Sequence, residues 1–265
     1  MPDRPQTWHY GLVARWWAEF NVATPELAFY QACIARFGQP ALDVACGTGR
    51  LLLPLLQAGL DVDGCDLSPD MLARCHTEAA RAGLTPRLYA QAMHALDLPR
   101  LYRTIYMCDS FAIGGRRRQD ADALRCFYRY LEPGGALVFN HEFRDGDAEE
   151  WQEWAREKRH QLPEVWPSSG NRRQASDGSE IELRARRVDL DPIERRTTTQ
   201  MRAALWREGQ LVAEEEHTLQ QTVHFRDEVL LMLEQAGFGD VTVYGGYTDA
   251  PATAEHQMVV CIARK

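Results

Sequence analysis

The sequence lacks several features that would place it in other protein classes. None of its seven cysteines forms a C-x-x-C pair, and no zinc-ligand spacing is visible, so we expect no metal site. It contains no run of about 18 apolar residues, so we expect no membrane span. The odd number of scattered cysteines and the lack of a recognisable signal peptide predict reduced thiols and a cytoplasmic location.

Basic residues are also in short supply. The chain has 30 lysines and arginines against 38 aspartates and glutamates, a net charge of −8. Because phosphate binding requires a basic surface, this balance argues against a nucleic-acid partner, although it leaves room for a local basic patch. Apolar residues are plentiful: 45% of the 265 positions are hydrophobic, enough for the core of one α/β domain with an insertion.

The stretch around which the chain is organised runs from Ala41 to Arg50. Its residues, ALDVACGTGR, predict a short buried strand and a turn of small residues, followed by a helix over 50–58. No side chain blocks such a turn, so a ligand can lie against its backbone. The helix behind the turn presents free N–H groups and a partial positive charge. The combination predicts a site for a nucleotide-type cofactor.

A carboxylate stands where such a site needs one. Asp66 ends the next predicted strand and follows Gly49 by 17 residues, close to the roughly 20 expected for a ribose-binding acid. A carboxylate accepts hydrogen bonds from both ribose hydroxyls, and it would repel the 2′-phosphate of NADP. Leu52 stands where a dinucleotide fingerprint has its third glycine, so the turn is not built for a pyrophosphate.

Four motifs together resemble those of class I S-adenosylmethionine (SAM) methyltransferases. They are Asp43-x-Ala45-x-Gly47-x-Gly49, DLSPDML at 66–72, LDLP at 96–99 and LEPGGAL at 131–137. The resemblance covers roughly residues 10–143 and 225–265. It implies SAM as cofactor, S-adenosylhomocysteine (SAH) as product, and methyl transfer to a nitrogen, oxygen or carbon atom. The long insertion resembles small-molecule methyltransferases of secondary metabolism, including those that act on amino sugars.

The order of the predicted elements favours an α/β fold. Strands and helices alternate as far as strand five, 136–142, which predicts a parallel sheet with helices on both faces. The pattern breaks after Glu142 and resumes with a helix over 226–236. The resemblance implies a seven-stranded, mostly parallel, Rossmann-like sheet. In it the last strand runs antiparallel between strands five and six.

We expect residues 1–143 and 225–265 to form the methyltransferase domain, with residues 1–40 as an N-terminal helical cap. Residues 144–224 predict an insertion that holds a polar helix and three strand-like runs joined by short turns. Runs joined in this way pair antiparallel. The inserted antiparallel sheet is a candidate substrate cap or homodimer element.

The N-terminal segment predicts two helices, over 11–20 and 25–37. Two interpretations are open. The helices either cover the sheet, or one or both of Tyr10 and Trp16 roof the pocket for SAM and substrate, as the N-terminal segment of the resembling family often does.

The resemblance also implies the cofactor contacts. Backbone groups of the glycine turn face the methionine part of SAM, and Asp43 either binds the methionine ammonium or ties the turn. Asp66 binds the ribose. Leu67 and Met71 flank the adenine, or Met71 only packs its helix. The predicted cofactor-binding residues are Tyr10, Trp16, Asp43, Ala45, Cys46, Gly47, Gly49, Asp66, Leu67, Met71, Ala92, Met93 and Cys108.

One position departs from the family pattern. Many members carry an aspartate after strand three that accepts a hydrogen bond from the adenine amino group. Here that position is Ala92, or Gln91 if the register slips by one. The backbone N–H of Met93 can still reach the adenine ring, and Gln91 can replace the missing carboxylate.

Candidate catalytic residues follow strands four and five, because ligands of α/β sheets lie beyond the carboxyl ends of the strands. His141 and Glu142 form the most base-like pair, since histidine titrates near neutrality, and Asp109 is the third candidate. The alternative is that residues along a strand alternate in direction, which leaves at most one of them in the site. Further candidates are His94, Ser110 and Asn140.

Two other functions remain open. The chain is either a methyltransferase of protein or nucleic acid, or a non-catalytic SAM-binding subunit. The lack of an Asn-Pro-Pro-Tyr motif after strand four argues against methylation of nucleobase amino groups or glutamine.

Overall fold

The computed structural model describes residues 7–142 and 148–265. The described chain divides into two compact units. The large unit holds residues 23–111, 118–142 and 224–265, and the small unit holds residues 7–22, 112–117 and 148–223.

The helices and strands alternate through much of the chain. In chain order they are α1 (Gly11–Phe20), α2 (Leu27–Phe37), β1 (Ala41–Val44), α3 (Leu52–Gln57), β2 (Val62–Asp66), α4 (Pro69–Arg81), β3 (Leu88–Ala90), β4 (Tyr102–Met107), α5 (Arg117–Tyr130), β5 (Leu131–Glu142), α6 (Ala148–Glu153), α7 (Arg156–Arg159), β6 (Asn171–Gln174), β7 (Glu180–Asp191), β8 (Arg196–Arg207), β9 (Gln210–Thr222), α8 (Arg226–Ala236), β10 (Asp240–Gly245) and β11 (Met258–Arg264).

The large unit is built on a seven-stranded sheet of order β10-β11-β5-β4-β1-β2-β3. The five strands from β5 to β3 run parallel. β11 runs antiparallel between β5 and β10, in the place that the family resemblance implies. All four residues of β1 are buried, as expected for a strand covered on both faces. The predicted Rossmann-like fold is confirmed.

Capping residues, proline and glycine in the sequence correctly predicted the ends of several helices of this unit. Ser68 caps α4, since its Oγ accepts a hydrogen bond from the N–H of Met71 at 3.2 Å, and Pro69 occupies the first turn. Helix α8 has the predicted bounds and ends at Gly237, whose φ of 112° favours glycine. Helix α3 begins at Leu52 rather than Arg50.

The small unit contains a four-stranded antiparallel sheet of order β6-β7-β8-β9. Three of these strands match the predicted runs. β6 was not predicted, because its residues, NRRQ, are all exposed and show no apolar alternation. The predicted helix over 145–161 is two short helices, α6 and α7. Residues 145–147, and the predicted boundary at 143/144, lie outside the described residues.

Helix α1 packs on this antiparallel sheet. Val13 and Trp16 are buried with Ile181 and Ala203 of β7 and β8. Because α2 contacts β4 and β5 of the large unit, the expected N-terminal cap of residues 1–40 is divided between the two units. Across the residues that the structure describes, no helix combines the length and the apolar character needed to cross a membrane.

Candidate functional site

The turn after β1 depends on two glycines. Gly47 and Gly49 have φ of 56° and 87°, in the left-handed region that favours glycine. A Cβ on Gly49 would lie 2.7 Å from Sγ of Cys75, and one on Gly47 would lie 3.1 Å from Cε of Met71. The thiol of Cys46 is buried and faces Gly64 of β2. The side chain of Cys46 is therefore turned into the core, while its N–H donates to the carbonyl of Cys65 and its carbonyl accepts from the N–H of Gly49. A backbone contact of Cys46 with SAM stays a prediction.

Asp66 ties this turn to the start of α4. One carboxylate oxygen accepts a hydrogen bond from the N–H of Gly47 at 2.9 Å, and the other accepts one from the N–H of Ser68 at 2.8 Å. Burial raises the pKa of Asp66, and these N–H donors oppose the shift. Each carboxylate oxygen has a second lone pair. The carboxylate can therefore hold the turn and still accept hydrogen bonds from two hydroxyls.

A second polar pair lies deeper in the sheet. Asp43 of β1 and Tyr106 of β4 are register partners, with exposed fractions of 3% and 0%. Burial raises the pKa of Asp43 to about 8, and the neighbouring Tyr106 and Arg50 side chains oppose that rise. The Tyr106 hydroxyl is buried and has no hydrogen-bond partner among the described residues. Such a group costs free energy unless a bound molecule or water satisfies it.

Sequence reasoning missed Tyr106. The only signal available was one phenol in the otherwise apolar run Ile105-Tyr106-Met107, and core tyrosines are common.

The segment after β3 decides the role of Gln91. Its side-chain amide closes the loop 91–97, since Nε2 donates to the carbonyl of Asp97 and Oε1 accepts from its N–H, both at 2.8 Å. Ala92 follows and starts a short 3₁₀ turn that contains Met93. Because the loop occupies the Gln91 amide, the structure does not support replacement of the missing carboxylate by Gln91. Adenine contacts by Ala92 and Met93 stay predictions.

Met71 and Leu67 differ in exposure. Met71 is only 3% exposed and packs against Gly47, which supports a packing role for its side chain. Leu67 is half-buried beside Asp66, and its contact with adenine stays a prediction.

Polar side chains surround the thiol at the end of β4. Sγ of Cys108 lies 3.4 Å from Oε1 of Glu26 and 3.5 Å from the Tyr247 hydroxyl and an Arg50 nitrogen. Arg50 forms an ion pair with Glu26. Burial is the main cause that raises the pKa of Cys108 to about 12, so the thiol is neutral at physiological pH. Sequence reasoning missed Glu26 and Tyr247, which come from distant parts of the chain.

Asp109 follows directly and is exposed. Its N–H donates a hydrogen bond to Oδ1 of Asn140 at 2.7 Å, and Nδ2 of Asn140 donates to its carboxylate. The structure thus brings together one candidate catalytic residue from the end of β4 and one polar residue from β5.

His141 and Glu142 end β5. Nε2 of His141 lies 3.3 Å from the carbonyl oxygen of His224, and its ring lies 5.8 Å from that of Phe111. Glu142 is exposed. Because β4 and β5 are parallel neighbours, these residues lie at the same edge of the sheet as Asp109. Their roles as bases stay predictions.

A buried histidine–aspartate pair near His141 was not predicted from the sequence. Nε2 of His224 lies 2.8 Å from Oδ2 of Asp120, and both side chains are almost fully buried. The only sequence signal was a histidine just before an amphipathic helix, α8.

Tyr10 and Trp16 belong to the small unit. The ring of Trp16 packs 4.6 Å from that of Phe20, and Arg173 lies over it. The ring of Tyr10 lies 6.1 Å from that of His217. This packing accounts for the burial of Trp16 without a cofactor, and contact of either residue with SAM stays a prediction. Over residues 7–142 and 148–265, no group of three or more His, Cys, Asp or Glu side chains is placed to hold a metal ion.

Known proteins match both the motif region and the fold. The methyltransferase domain family matches residues 41–135. The ubiquinone biosynthesis O-methyltransferase of Methylococcus capsulatus is 36% identical over 78 residues, which cover 27% of this chain and 33% of that protein. Matches of this kind are partial: the alignments to two other curated relatives span 22% and 48% of their lengths.

Solved structures resemble the chain over nearly its full length. The CcbJ methyltransferase from Streptomyces caelestis has a TM-score of 0.69 at 19% identity, and the match covers 96% of this chain and 99% of that chain. The SAM-bound amino pentose methyltransferase CalS10 from Micromonospora echinaspora has a TM-score of 0.60 at 20% identity, with coverage of 91% and 90%. At these identities the likeness shows the fold.

Proposed function

We propose that this chain, which carries a class I SAM-dependent methyltransferase domain, transfers the methyl group of SAM to a small-molecule acceptor. The match to a methyltransferase domain over residues 41–135 and the SAM-bound structure of CalS10, which has the same fold, support the predicted family and methyl donor. The nature of the acceptor is our proposal. The observation that best carries methyl transfer is the pairing of the Asp66 carboxylate with the N–H of Gly47 after β1. Asp109 follows the neighbouring parallel strand β4, so it lies at the same edge of the sheet.

The residues of the large unit fit SAM in three places. Asp66 has lone pairs left for the ribose hydroxyls. The turn at Gly47 and Gly49 presents its backbone without side chains. Asp43 and the Tyr106 hydroxyl form a buried polar pair in β1 and β4, and the ammonium of a bound amino acid would favour the ionised form of that carboxylate. Together they match an adenosine joined to an amino acid.

The protein needs little chemistry of its own. SAM supplies a methyl group on sulfonium sulfur, and the electron pair of the broken C–S bond stays on sulfur in SAH. The chain must hold the acceptor in line with that bond and exclude water. Where the nucleophile is a nitrogen or oxygen that carries a proton, His141, Glu142 and Asp109 are the candidates to receive it.

A small-molecule acceptor is supported by charge and by fold. The net charge of −8 disfavours nucleic acid. CalS10, which shares the fold, is an amino pentose methyltransferase, so amino sugars of secondary metabolism are a reasonable first set of acceptors. We also propose the antiparallel sheet of the small unit as a homodimer element, which native mass spectrometry of the purified protein tests directly.

Calorimetry with SAM and SAH tests the cofactor site. Asp66→Ala is expected to weaken SAM binding by about 1–3 kcal/mol, or roughly 5- to 150-fold, because a charge-assisted bond to two hydroxyls is lost. Asp122→Ala, which removes an exposed carboxylate of α5, is the matched control. Unchanged SAM affinity in Asp66→Ala would rule out the ribose role.

Transfer assays with labelled SAM test the base. His141→Ala and Glu142→Ala are expected to lower turnover with little change in SAM affinity. If neither does, the reaction needs no base or takes it from elsewhere. Tight SAM binding without transfer to any acceptor would favour a non-catalytic SAM-binding subunit.

A further inference from the structure

Asp109, the second residue after β4, holds a backbone conformation that residues with a Cβ rarely adopt. Asp109 has a φ of 52°, in the left-handed region. Its side chain is exposed, so burial of that side chain does not impose the conformation. In the strands around it, backbone hydrogen bonds set the geometry, whereas Asp109 lies beyond the last residue pair of β4 with β5. Another group must therefore hold it.

That group is Asn140. It is 5% exposed and uses both ends of its amide on this one residue. Oδ1 accepts from the N–H of Asp109 at 2.7 Å, while Nδ2 donates to Oδ1 of the carboxylate. The amide therefore fixes the backbone and the carboxylate of Asp109 at once. Asn140 lies near the carboxyl end of β5, at the edge of the sheet where ligands of α/β folds lie.

The held carboxylate still has lone pairs to offer. An ionised carboxylate is an acceptor only, with about four sites. Asn140 fills one of them, and the neutral thiol of Cys108 lies 3.4 Å from the other oxygen. A ligand that completes this set must bring a hydrogen-bond donor.

The charges beside Asp109 favour a cationic donor. Glu142 places a second exposed carboxylate at the end of the neighbouring strand, β5. Arg50, one nitrogen of which lies 3.5 Å from Sγ of Cys108, is already paired with Glu26. A protonated amine is attracted by such surroundings, whereas a neutral hydroxyl gains only a hydrogen bond.

We propose that Asn140 is a positioning residue that fixes Asp109 as the recognition group for the acceptor, and that the acceptor is an amine. The inference rests on the proposed function. The bound ammonium loses one proton to one of the candidate bases Asp109, His141 and Glu142, and the freed nitrogen lone pair forms the N–CH₃ bond as the C–S bond breaks. The electron pair of that bond stays on sulfur, and the product carries the positive charge as a methylated ammonium.

The first test compares matched acceptors. Amino sugars and cyclic amines are offered with radiolabelled SAM beside their hydroxyl isosteres, such as glucosamine beside glucose. Label is expected in amines only. Equal transfer to the hydroxyl isosteres, or transfer to no amine by protein that binds SAM in calorimetry, overturns the inference. Protein that binds neither SAM nor SAH would instead overturn the proposed function.

The second test uses whichever amine is turned over as the probe. Asn140→Ala is expected to lower kcat/KM by about 10- to 100-fold, since misplacement of a binding group by about 1 Å has effects of this size. In an Asp109→Ala background the same change should add less than about twofold, because residues that act as a unit are not additive. SAH affinity should stay the same in all three variants. A full penalty in both backgrounds would mean a merely structural role and overturn the inference.

A more conservative substitution separates the recognition role of Asp109 from an effect of misfolding. Asp109→Asn keeps the shape of the side chain and removes its charge, so KM for the amine is expected to rise roughly tenfold at unchanged SAH affinity. An unchanged KM would overturn the recognition role of Asp109. Asn171→Ala, on the exposed strand β6 of the small unit, is the matched control.

Discussion

On the sheet of the small unit, cationic side chains have partners from the same unit. Arg202 lies over the ring of Trp166 at 4.2 Å and binds Glu216 at 3.2 Å, and Arg186 covers the same ring at 4.5 Å. At the carboxyl edge of the large unit's sheet, the Tyr106 hydroxyl has no partner among the described residues and Asp109 adopts a left-handed backbone. The two regions differ in what holds their polar groups: ring stacking and ion pairs in the first, and the amide of Asn140 from a neighbouring strand in the second. Each region still contains a buried polar atom without a hydrogen-bond partner among the described residues, Nε of Arg202 in the first and the Tyr106 hydroxyl in the second.

This difference indicates which polar residues are informative about function. The many arginines and tryptophans of residues 144–224 are by themselves compatible with either a binding pocket or the solvent face of a sheet. Stacking of Arg186 and Arg202 on Trp166 explains part of this composition by internal pairing. The sparse polar residues near the ends of β4 and β5 carry more functional information, because their geometry is held by other groups and is not explained by packing.

The largest expected effect lies in the scaffold of the large unit. Asp63 of β2 is fully buried and accepts hydrogen bonds from Arg87, Arg100 and Tyr102. Asp63→Ala is expected to lower the free energy of unfolding by about 3 kcal/mol, because it leaves the buried Tyr102 hydroxyl unpaired and removes an acceptor from two partly exposed arginines. Denaturant unfolding measures the loss. Asp61→Ala is the matched control, since Asp61 binds the same arginines at 45% side-chain exposure. An equal loss in both variants would contradict this account.

The pH dependence of stability should distinguish Asp43 from a carboxylate whose pKa is lowered by an ion pair. Its pKa rises from 3.8 to about 8 on folding, mainly through burial. Between these values the folded state binds more protons than the unfolded state, so stability falls as the pH rises from about 4 to about 8. The slope from this group is at most about 1.4 kcal/mol per pH unit. Relative to Asp43→Asn, wild-type protein should therefore lose stability over this range in unfolding titrations. Parallel curves would refute the shift.

Two tyrosines of the large unit offer a paired test of the comparison. The hydroxyl of Tyr30 donates to the carbonyl of Met107 at 2.9 Å, whereas that of Tyr106 is unpaired among the described residues. Tyr30→Phe is expected to destabilise the protein by about 1 kcal/mol. Tyr106→Phe should leave it as stable or more stable, while it weakens SAM binding by about 1 kcal/mol. Thermal unfolding and calorimetry measure the two quantities. A loss of stability with unchanged SAM affinity in Tyr106→Phe would contradict a ligand role.

The smallest effect is expected in the small unit. Oε2 of Glu215 accepts a hydrogen bond from the N–H of Leu12 at 2.8 Å, at the start of α1. Glu215→Gln keeps an acceptor and removes the charge beside the helix N-terminus, so stability should fall by about 0.3–1 kcal/mol. Glu214→Gln, on the same strand and exposed, is the control. Because this residue serves the small unit's own packing, SAM affinity should not change. A change in SAM affinity would break the contrast between the two units.

Several parts of the fold and the site were predictable from local patterns. The helix bounds of α1 and α8, the Ser68 cap and the Asp66 carboxylate follow from spacing, caps and glycine placement. β6 was not predictable, since an exposed polar edge strand has no apolar alternation. The partition of α1 to the small unit was not predictable either, because the apolar face of an amphipathic helix does not specify which sheet it covers.

The sequence by itself determined the α/β fold and the turn at Gly47 and Gly49, and it predicted SAM-dependent chemistry, because these depend on motifs of neighbouring residues. Only the tertiary structure decided that Asn140 holds Asp109, and that Tyr106 lies unpaired beside Asp43. The physical reason is that these contacts join different strands of a parallel sheet. Their geometry is set by strand order and register, which no local spacing along the chain encodes.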